Sequence, residues 1–369
     1  HILLVEPDGR FCGLIHQADL LGLRAGGAEV LIAAIAAARD LKAMVLVADK
    51  VRRRGADLFN AGMGVEAICQ WMSGLNDLIG MRVIELIEDE FDLPAVPWCW
   101  LLFGSEGRLE QTFTTDQDNG LAFEPSNPED TEALRAAFLP FAQAVNDALH
   151  YCGFERCCGD VMAGNPDWCL SAAEWTARFS SWLRVPDPEA LLHGTIFFDF
   201  RPLYGRYELA DRLRAWLLAK APEHRLFLRA LAEQALEVGP PLGWAGQFTY
   251  DRNRDFPHTI DLKLYGTRLF VDAARIWGLA KGIWATNTAD RLRAVGIAPG
   301  RSAADIAAEV EAFHLVQRFR IRQQLATPDR AAANRVDPAG LNELHRLMLK
   351  EALKQAKKLQ LRLRQEYGL

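Results

Sequence analysis

The sequence predicts an α+β protein: a small mixed sheet within residues 94–208, helices ahead of it over 25–93, and a helical bundle over 209–369. Three observations carry this expectation. Apolar residues recur at helical spacing over 30–86, and the pattern returns from Leu209 to the end of the chain. Between these regions lie short apolar runs of strand length, 98–103 and 195–200, followed by Gly or Pro. At 369 residues, and at roughly 100–200 residues per domain, the chain has room for two or three domains with a sizeable core.

In chain order, residues 1–24 read as strand, turn, strand and short helix: 2–5 are apolar, Asp8-Gly9 is a turn signal, 11–15 resume the apolar run and 18–23 look helical. So short a unit cannot bury a core alone, and the chain opens on His1 rather than Met. It reads as the tail of a domain that starts further upstream. Residues 28–93 read as about three helices with breaks at Gly55, Gly62 and Gly64. Leu93-Pro94 and Val96-Pro97 end them, because a residue before proline is pushed out of helical conformation. Then come a strand over 98–103, a tight turn at Gly104-Ser105, a short helix over 106–113 and a second strand over 116–123. Residues 131–150 form an amphipathic helix with Leu134, Phe138, Phe141, Val145 and Leu149 on one face. A third strand covers 195–200, ended by Pro202 and Gly205, and Pro240-Pro241 with Gly243 and Gly246 mark a later loop.

Composition excludes several classes. Half the residues are apolar and 24% are charged, which rules out a disordered chain, a collagen-like repeat or a disulfide-stapled miniprotein. The net charge of −6 disfavours a purely electrostatic nucleic-acid binder. Residues 345–369 carry a local net charge of +5, read as the solvated face of a bundle helix whose Leu349, Leu353, Ala356 and Leu363 face inward; an RNA or an acidic partner is the alternative. The seven cysteines include the adjacent Cys157 and Cys158 and no CxxC pair, so free thiols in a reducing, cytoplasmic compartment are expected and a metal cluster of Cys152, Cys157, Cys158 and Cys169 is not. The longest apolar runs fall far short of the roughly 18 residues a membrane span needs, and no basic segment leads an apolar core as in a signal peptide. Trp244, Trp277 and Trp284 are expected in the core or an interface rather than as stacking platforms for bases.

The chemistry concentrates in Gly104-Ser105-Glu106-Gly107-Arg108 and Thr115-Asp116-Gln117-Asp118-Asn119. A strand entering a Gly-Ser turn ahead of a helix directs free N–H groups outward, a ready phosphate site. Gly104 lets the backbone approach a ligand, the Ser105 hydroxyl can cap the helix or bond a phosphate oxygen, and Arg108 offers a fork of donors to the same anion. Asp116 and Asp118, two apart on a strand, would share one face, and paired carboxylates repel unless a cation lies between them. Mg2+ uses one or two carboxylates plus substrate phosphates, so the two pieces together imply a metal–nucleotide site. Asp199, inside the apolar run at 195–200, needs a partner or a cation; it could complete the metal site or take the proton of an attacking hydroxyl. Each piece alone has a plainer reading: a solvated Asp-x-Asp turn, a helix cap, and a structural ion pair of Asp199 with Arg201 on the same strand face.

In that order, these residues resemble the polymerase-β-type nucleotidyltransferase superfamily. The string at 104–123 is similar to its protein-modifying branch, which includes the uridylyltransferase of PII proteins and the glutamine synthetase adenylyltransferase. Together with 161–183, 197–205 and 261–267, it is most similar to bacterial nucleotidyltransferases that carry CBS or cyclic-nucleotide-binding modules upstream, and residues 1–24 resemble the second half of a CBS module. The resemblance implies that Gly104 and Ser105 hold a nucleoside triphosphate with Arg108 assisting, and that Asp116, Asp118 and Asp199 ligate two Mg2+ ions, with Mn2+ able to substitute. Asp199 would also activate the acceptor hydroxyl. Arg201 and Lys263 would join the nucleotide site, although Lys263 also reads as a surface lysine. The implied activity is transfer of NMP from an NTP to a hydroxyl of a protein or small molecule, tuned by the upstream module; a nucleotide-binding signalling module without turnover is the alternative. No membrane or nucleic-acid partner is implied, and the pairing habit of CBS modules leaves room for a homodimer.

Overall fold

The structure, a computed structural model, describes residues 2–5, 11–15, 27–251, 253–297 and 301–369. Strands β1 (Ile2–Val5) and β2 (Phe11–Ile15) pair antiparallel, Ile2 opposite Ile15 and Leu3 opposite Leu14. The turn at Asp8-Gly9 and the helix at 18–23 expected around them lie outside the described residues. Three helices follow, α1 (Ala28–Ala37), α2 (Leu41–Asn60) and α3 (Val65–Glu88). Asp40 starts α2 by accepting the Ala43 N–H at 2.7 Å, and Gly62 and Gly64 separate α2 from α3. Gly55 breaks nothing: it lies inside α2, where the missing side chain makes room for Met72 of α3.

Four strands form the central mixed sheet, β3 (Trp98–Leu102), β4 (Asn119–Phe123), β5 (Cys169–Ser171) and β6 (Arg201–Gly205), in the order β5-β4-β3-β6. β3 runs antiparallel to both neighbours, and β4 runs parallel to β5. The alternation of β3 divides the core. Trp98, Trp100 and Leu102 pack with α1–α3 and with α5 (Thr131–Tyr151; the one-turn helix α4 is described below), while Cys99, Leu101 and Phe103 pack into an aromatic layer. Both faces are covered, which is why the strand reads as one unbroken apolar run. In α5, Phe138, Phe141, Val145 and Leu149 are buried and Leu134 is half-buried at the edge.

The aromatic layer comes from α6 (Ala172–Arg184) and α7 (Pro188–Phe197). Here the sequence expectation fails. Residues 195–197 finish α7, and 198–200 are turn and irregular backbone rather than strand. Asp187 caps α7 by accepting the Ala190 N–H at 2.8 Å, and Pro188 presets its first turn, so local helix signals precede a run whose apolar character reflects burial. Phe197 sits 4.2 Å from Trp168 and 4.7 Å from Phe103, ring centre to ring centre.

The rest is mainly helical: α8 (Tyr207–Lys220), α9 (Arg225–Glu237), α10 (Arg268–Ala280), α11 (Thr288–Val295), α12 (Ala303–Ala326) and α13 (Glu343–Tyr367). Two short strands, β7 (Ile260–Asp261) and β8 (Arg335–Val336), tie the segment before α10 to the one after α12. α13 buries Leu349, Leu353, Ala356 and Leu363 as its pattern predicts. Trp277 is buried in the core, whereas Trp244 and Trp284 are exposed and lie outside it. Cys69, Cys99, Cys152, Cys157, Cys158 and Cys169 are free thiols, and no described helix is long and apolar enough to cross a membrane.

Candidate active site

A cleft of about 350 Å³ opens between the central sheet and the C-terminal helices. Gly104, Ser105, Arg108, Asp116, Asp118 and Lys263 all line it, so six of the residues singled out in the sequence meet in one place. The helix after the Gly-Ser turn is shorter than expected: α4 is a single turn, Gly104–Gly107, and Leu109 already has φ +58°. Two glycines make this turn possible. Gly104 has φ +54°, and a Cβ there would stand 2.5 Å from an Asp118 carboxylate oxygen. A Cβ on Gly107 would stand 1.9 Å from the Asp199 carbonyl oxygen. The Phe103 N–H donates to the Asp118 carbonyl at 2.8 Å, which extends the β3–β4 ladder by one bond and locks the Asp-x-Asp segment beside the turn.

Asp116 and Asp118 lie just ahead of β4 rather than within it. Both are half-buried, and neither forms an ion pair among the described residues. Burial and the neighbouring Asp116 push the Asp118 carboxyl up to about 6, against the pull of Cys157, Lys263 and Arg108. Cys157, its own thiol pushed up to about 12 chiefly by burial, hydrogen-bonds this carboxyl. Glu106 is sealed beneath the turn, where it accepts from Gln111 at 2.6 Å; burial, then Asp118, holds its carboxyl well above the ordinary range.

Asp199 departs from its expected role. It is fully buried and does not line the cleft. Arg275 donates to its Oδ2 from Nε at 3.0 Å and from Nη2 at 2.8 Å, Arg108 donates to the same oxygen at 3.0 Å, and Arg291 holds Oδ1 at 2.5 Å. Burial would raise this carboxyl, but the guanidinium groups of Arg275, Arg291 and Arg108 outweigh it and hold it far below the carboxylate range. Both oxygens are spent on arginines, and no group of three metal-ligating side chains forms among the described residues. Asp199 therefore anchors Arg108 from below, and it does not line the cleft where the resemblance would place a third metal ligand. Arg201 is likewise engaged within the fold. It donates to Asp77 at 2.7 Å and to the Glu106 carbonyl at 3.0 Å, bracing the turn from behind, outside the cleft and without pairing to Asp199.

The opposite wall escaped the sequence reading apart from Lys263. Asp261, Thr267, Arg268, Gln317 and Arg320 line it, with Arg275 and Asp272 at its base. Lys263 begins a short π-helical segment, Lys263–Thr267, whose first N–H groups are capped by Asp261, and it projects exposed into the cleft. A usable signal existed: Asp272 and Arg275 interrupt the apolar pattern of α10, the same feature that drew attention to Asp199. Glu110 links the walls, taking Arg108 Nε at 2.8 Å and the Thr288 N–H at 2.6 Å.

Comparison with protein families agrees with this two-walled geometry. Residues 49–189 match the family described as "Putative nucleotidyltransferase DUF294", and residues 225–367 match one described as "Putative nucleotidyltransferase substrate binding domain". No curated protein matches the chain. The first match contains the turn and the Asp-x-Asp segment and the second contains the facing wall, and together they support membership of this chain in a nucleotidyltransferase family.

Proposed function

We propose that the cleft transfers the NMP group of a nucleoside triphosphate to a hydroxyl of a protein or small-molecule acceptor, with Mg2+ as cofactor. One observation carries the reading: two half-buried carboxylates without ion pairs share an open cleft with a glycine turn and an anchored arginine. Two such carboxylates repel, and burial together with Asp116 raises the Asp118 carboxyl, so the pair fits a divalent cation. A cation held by Asp116 and Asp118 would neutralise the triphosphate and ease deprotonation of the acceptor hydroxyl. The chain's own residues do the rest. The Gly104 backbone lets phosphate oxygens come close, and Ser105 offers its hydroxyl. Arg108, fixed by Asp199 and Glu110, meets the anion without first being ordered, which spares conformational entropy. Lys263 supplies a mobile positive charge from the other wall. The acceptor oxygen bonds to the α-phosphorus, the bond to the β-phosphate oxygen breaks, pyrophosphate leaves and the hydroxyl proton passes to water in the cleft. An upstream CBS-type module would tune the reaction.

A second reading, nucleotide binding without turnover, is favoured by the burial of Asp199 away from the other two carboxylates. One experiment separates them. ATP, UTP, GTP and CTP are titrated calorimetrically with and without Mg2+ on the wild type and on Asp118→Asn, with pyrophosphate release followed in the presence of candidate acceptors. Mg2+-dependent binding of one NTP, weakened at least tenfold by Asp118→Asn and accompanied by pyrophosphate release, supports transfer. Tight binding with no release against any acceptor supports the signalling module, and metal-independent binding unaffected by the substitution sinks the metal assignment.

A further inference from the structure

Arg320, on α12, lines the cleft yet is only 8% exposed. Every hydrogen bond it makes is to a neutral side chain. Nε donates to Asn334 at 3.1 Å, and Nη1 donates to Gln317 at 2.7 Å and to Thr267 at 3.2 Å. Nη2 makes no hydrogen bond to the described residues and is not sealed away from the cleft. Among the described residues no carboxylate forms an ion pair with this guanidinium; Asp261, the acidic group that acts on it most strongly, is occupied in capping the 263–267 segment. The contrast with its neighbours is sharp. The other deeply buried arginines of the cleft, Arg108 and Arg275, are ion-paired, Arg108 to Glu110 and Asp199, Arg275 to Asp199 and Asp272.

A buried cation without a counter-ion is costly, and Arg320, unlike the carbonyl-satisfied Arg214, keeps a guanidinium edge without a partner among the described residues on a cleft that an anion can enter. Burial lowers the Arg320 pKa to about 10, more than Asp261, Cys69 and Glu110 offset. Gln317, Thr267 and Asn334 hold the planar guanidinium at three points, so the free edge is fixed before the ligand arrives, as suits recognition of a phosphate. Lys263, exposed and without an ion pair, adds a second positive charge on the same wall.

We propose that Arg320 is the centre of an anion-binding position on the C-terminal wall that takes a phosphate group of the bound nucleotide, opposite the Gly104-Ser105 turn. The inference rests on the nucleotide-transfer reading of the same cleft. It makes the C-terminal helices a direct contributor of phosphate contacts.

The probe is inorganic pyrophosphate in EDTA, which removes any metal contribution. The wild type is expected to bind it, Arg320→Gln to bind it at least about tenfold more weakly, and Arg320→Lys, which keeps the charge and loses the fork, to fall between. Because Arg320→Gln could disturb the fold, a second measurement uses the wild type alone. Pyrophosphate should protect Arg320 from an arginine-modifying dicarbonyl, read by peptide mass spectrometry. No pyrophosphate binding by the wild type overturns the proposal, as does wild-type affinity in Arg320→Gln or modification of Arg320 undiminished by the ligand. Competition between pyrophosphate and an NTP would support the assignment to the nucleotide's own phosphate; simultaneous binding of the two at the Arg320 position overturns it. Failure of the transfer reading shows elsewhere, as the absence of Mg2+-dependent NTP binding, and leaves the metal-free result standing.

Discussion

At the scale of single residues, the turn over Gly104 and Gly107 shows how two similar substitutions can act through different physics. Gly104→Ala puts a Cβ at φ +54° and against the Asp118 carboxylate, a flexible group able to swing aside. The backbone strain costs about 1–2 kcal/mol, a tolerable loss, but the carboxylate moves. We expect a fall of at least tenfold in Mg2+-dependent NTP binding with only a modest drop in melting temperature. Gly107→Ala drives its Cβ into the Asp199 backbone carbonyl, which has nowhere to go. That variant should lose much more stability than Gly104→Ala, and equal melting temperatures for the two would refute the distinction. Asp199 itself makes a pH-dependent prediction. Its carboxyl titrates lower in the folded chain than in the unfolded one, so its stabilisation is complete above the ordinary carboxylate value of 3.8 and is lost as pH falls below it. Asp199→Asn leaves Arg291 without a carboxylate among the described residues, and Arg108 and Arg275 with one each, and should cost about 3–5 kcal/mol at pH 7. The gap between wild type and variant should narrow below pH 4, and a gap constant from pH 7 to 3 would mean that the fold does not lower this carboxyl below its unfolded value.

At the scale of elements, α7 tests what sets a local conformation. Its last residues lie in a run that periodicity reads as strand, and burial on several sides makes that run apolar whichever structure it adopts. What differs is upstream: Asp187 accepts the Ala190 N–H, and Pro188 fits the first turn. Asp187→Ala should therefore cost about 1 kcal/mol in denaturant unfolding, and an unchanged midpoint would mean that aromatic packing alone holds the helix. The same contrast explains what could be read in advance. Gly104, Ser105, Arg108 and the Asp-x-Asp segment were legible because they lie within fifteen residues between two adjacent paired strands, so spacing alone implies that they meet. The three helices at 28–88, β3, β4 and α5 were legible because each carries a complete local pattern. Asp199 was recognised as a charge needing a partner, but its partners Arg275 and Arg291 stand 76 and 92 residues away, and no local pattern names them. Arg320 was invisible for the same reason: its significance is the absence of a counter-ion, a property of the assembled cleft.

At the scale of the whole molecule, the two walls of the cleft are fastened together at its base. Asp199, from the sheet side, takes two of its three arginines from α10 and α11. Glu110 accepts the Thr288 N–H, Asn287 donates to the Arg108 carbonyl at 3.1 Å, and the Phe113 N–H donates to Gln324 at 3.2 Å. These links converge on residues 108–113, the segment between the glycine turn and the Asp-x-Asp carboxylates. The aromatic layer on one face of the sheet is likewise continuous with the packing of α9 and α10. The glycine turn therefore depends on helices more than a hundred residues downstream, and the family boundary between the two matched segments does not mark independent folding units. A fragment of residues 27–224 leaves Asp199 with Arg108 alone and uncovers one side of the aromatic layer. It should melt without a cooperative transition and bind a hydrophobic dye, and adding a 225–369 fragment should restore a single transition together with Mg2+-dependent NTP binding. Asp199→Asn in the first fragment should weaken that reassembly, because it removes the charge on which the two halves converge. A 27–224 fragment that melts cooperatively and binds Mg2+-NTP as the whole chain does would show that the sheet side is self-sufficient, and that the buried ion network joins the halves without building the turn.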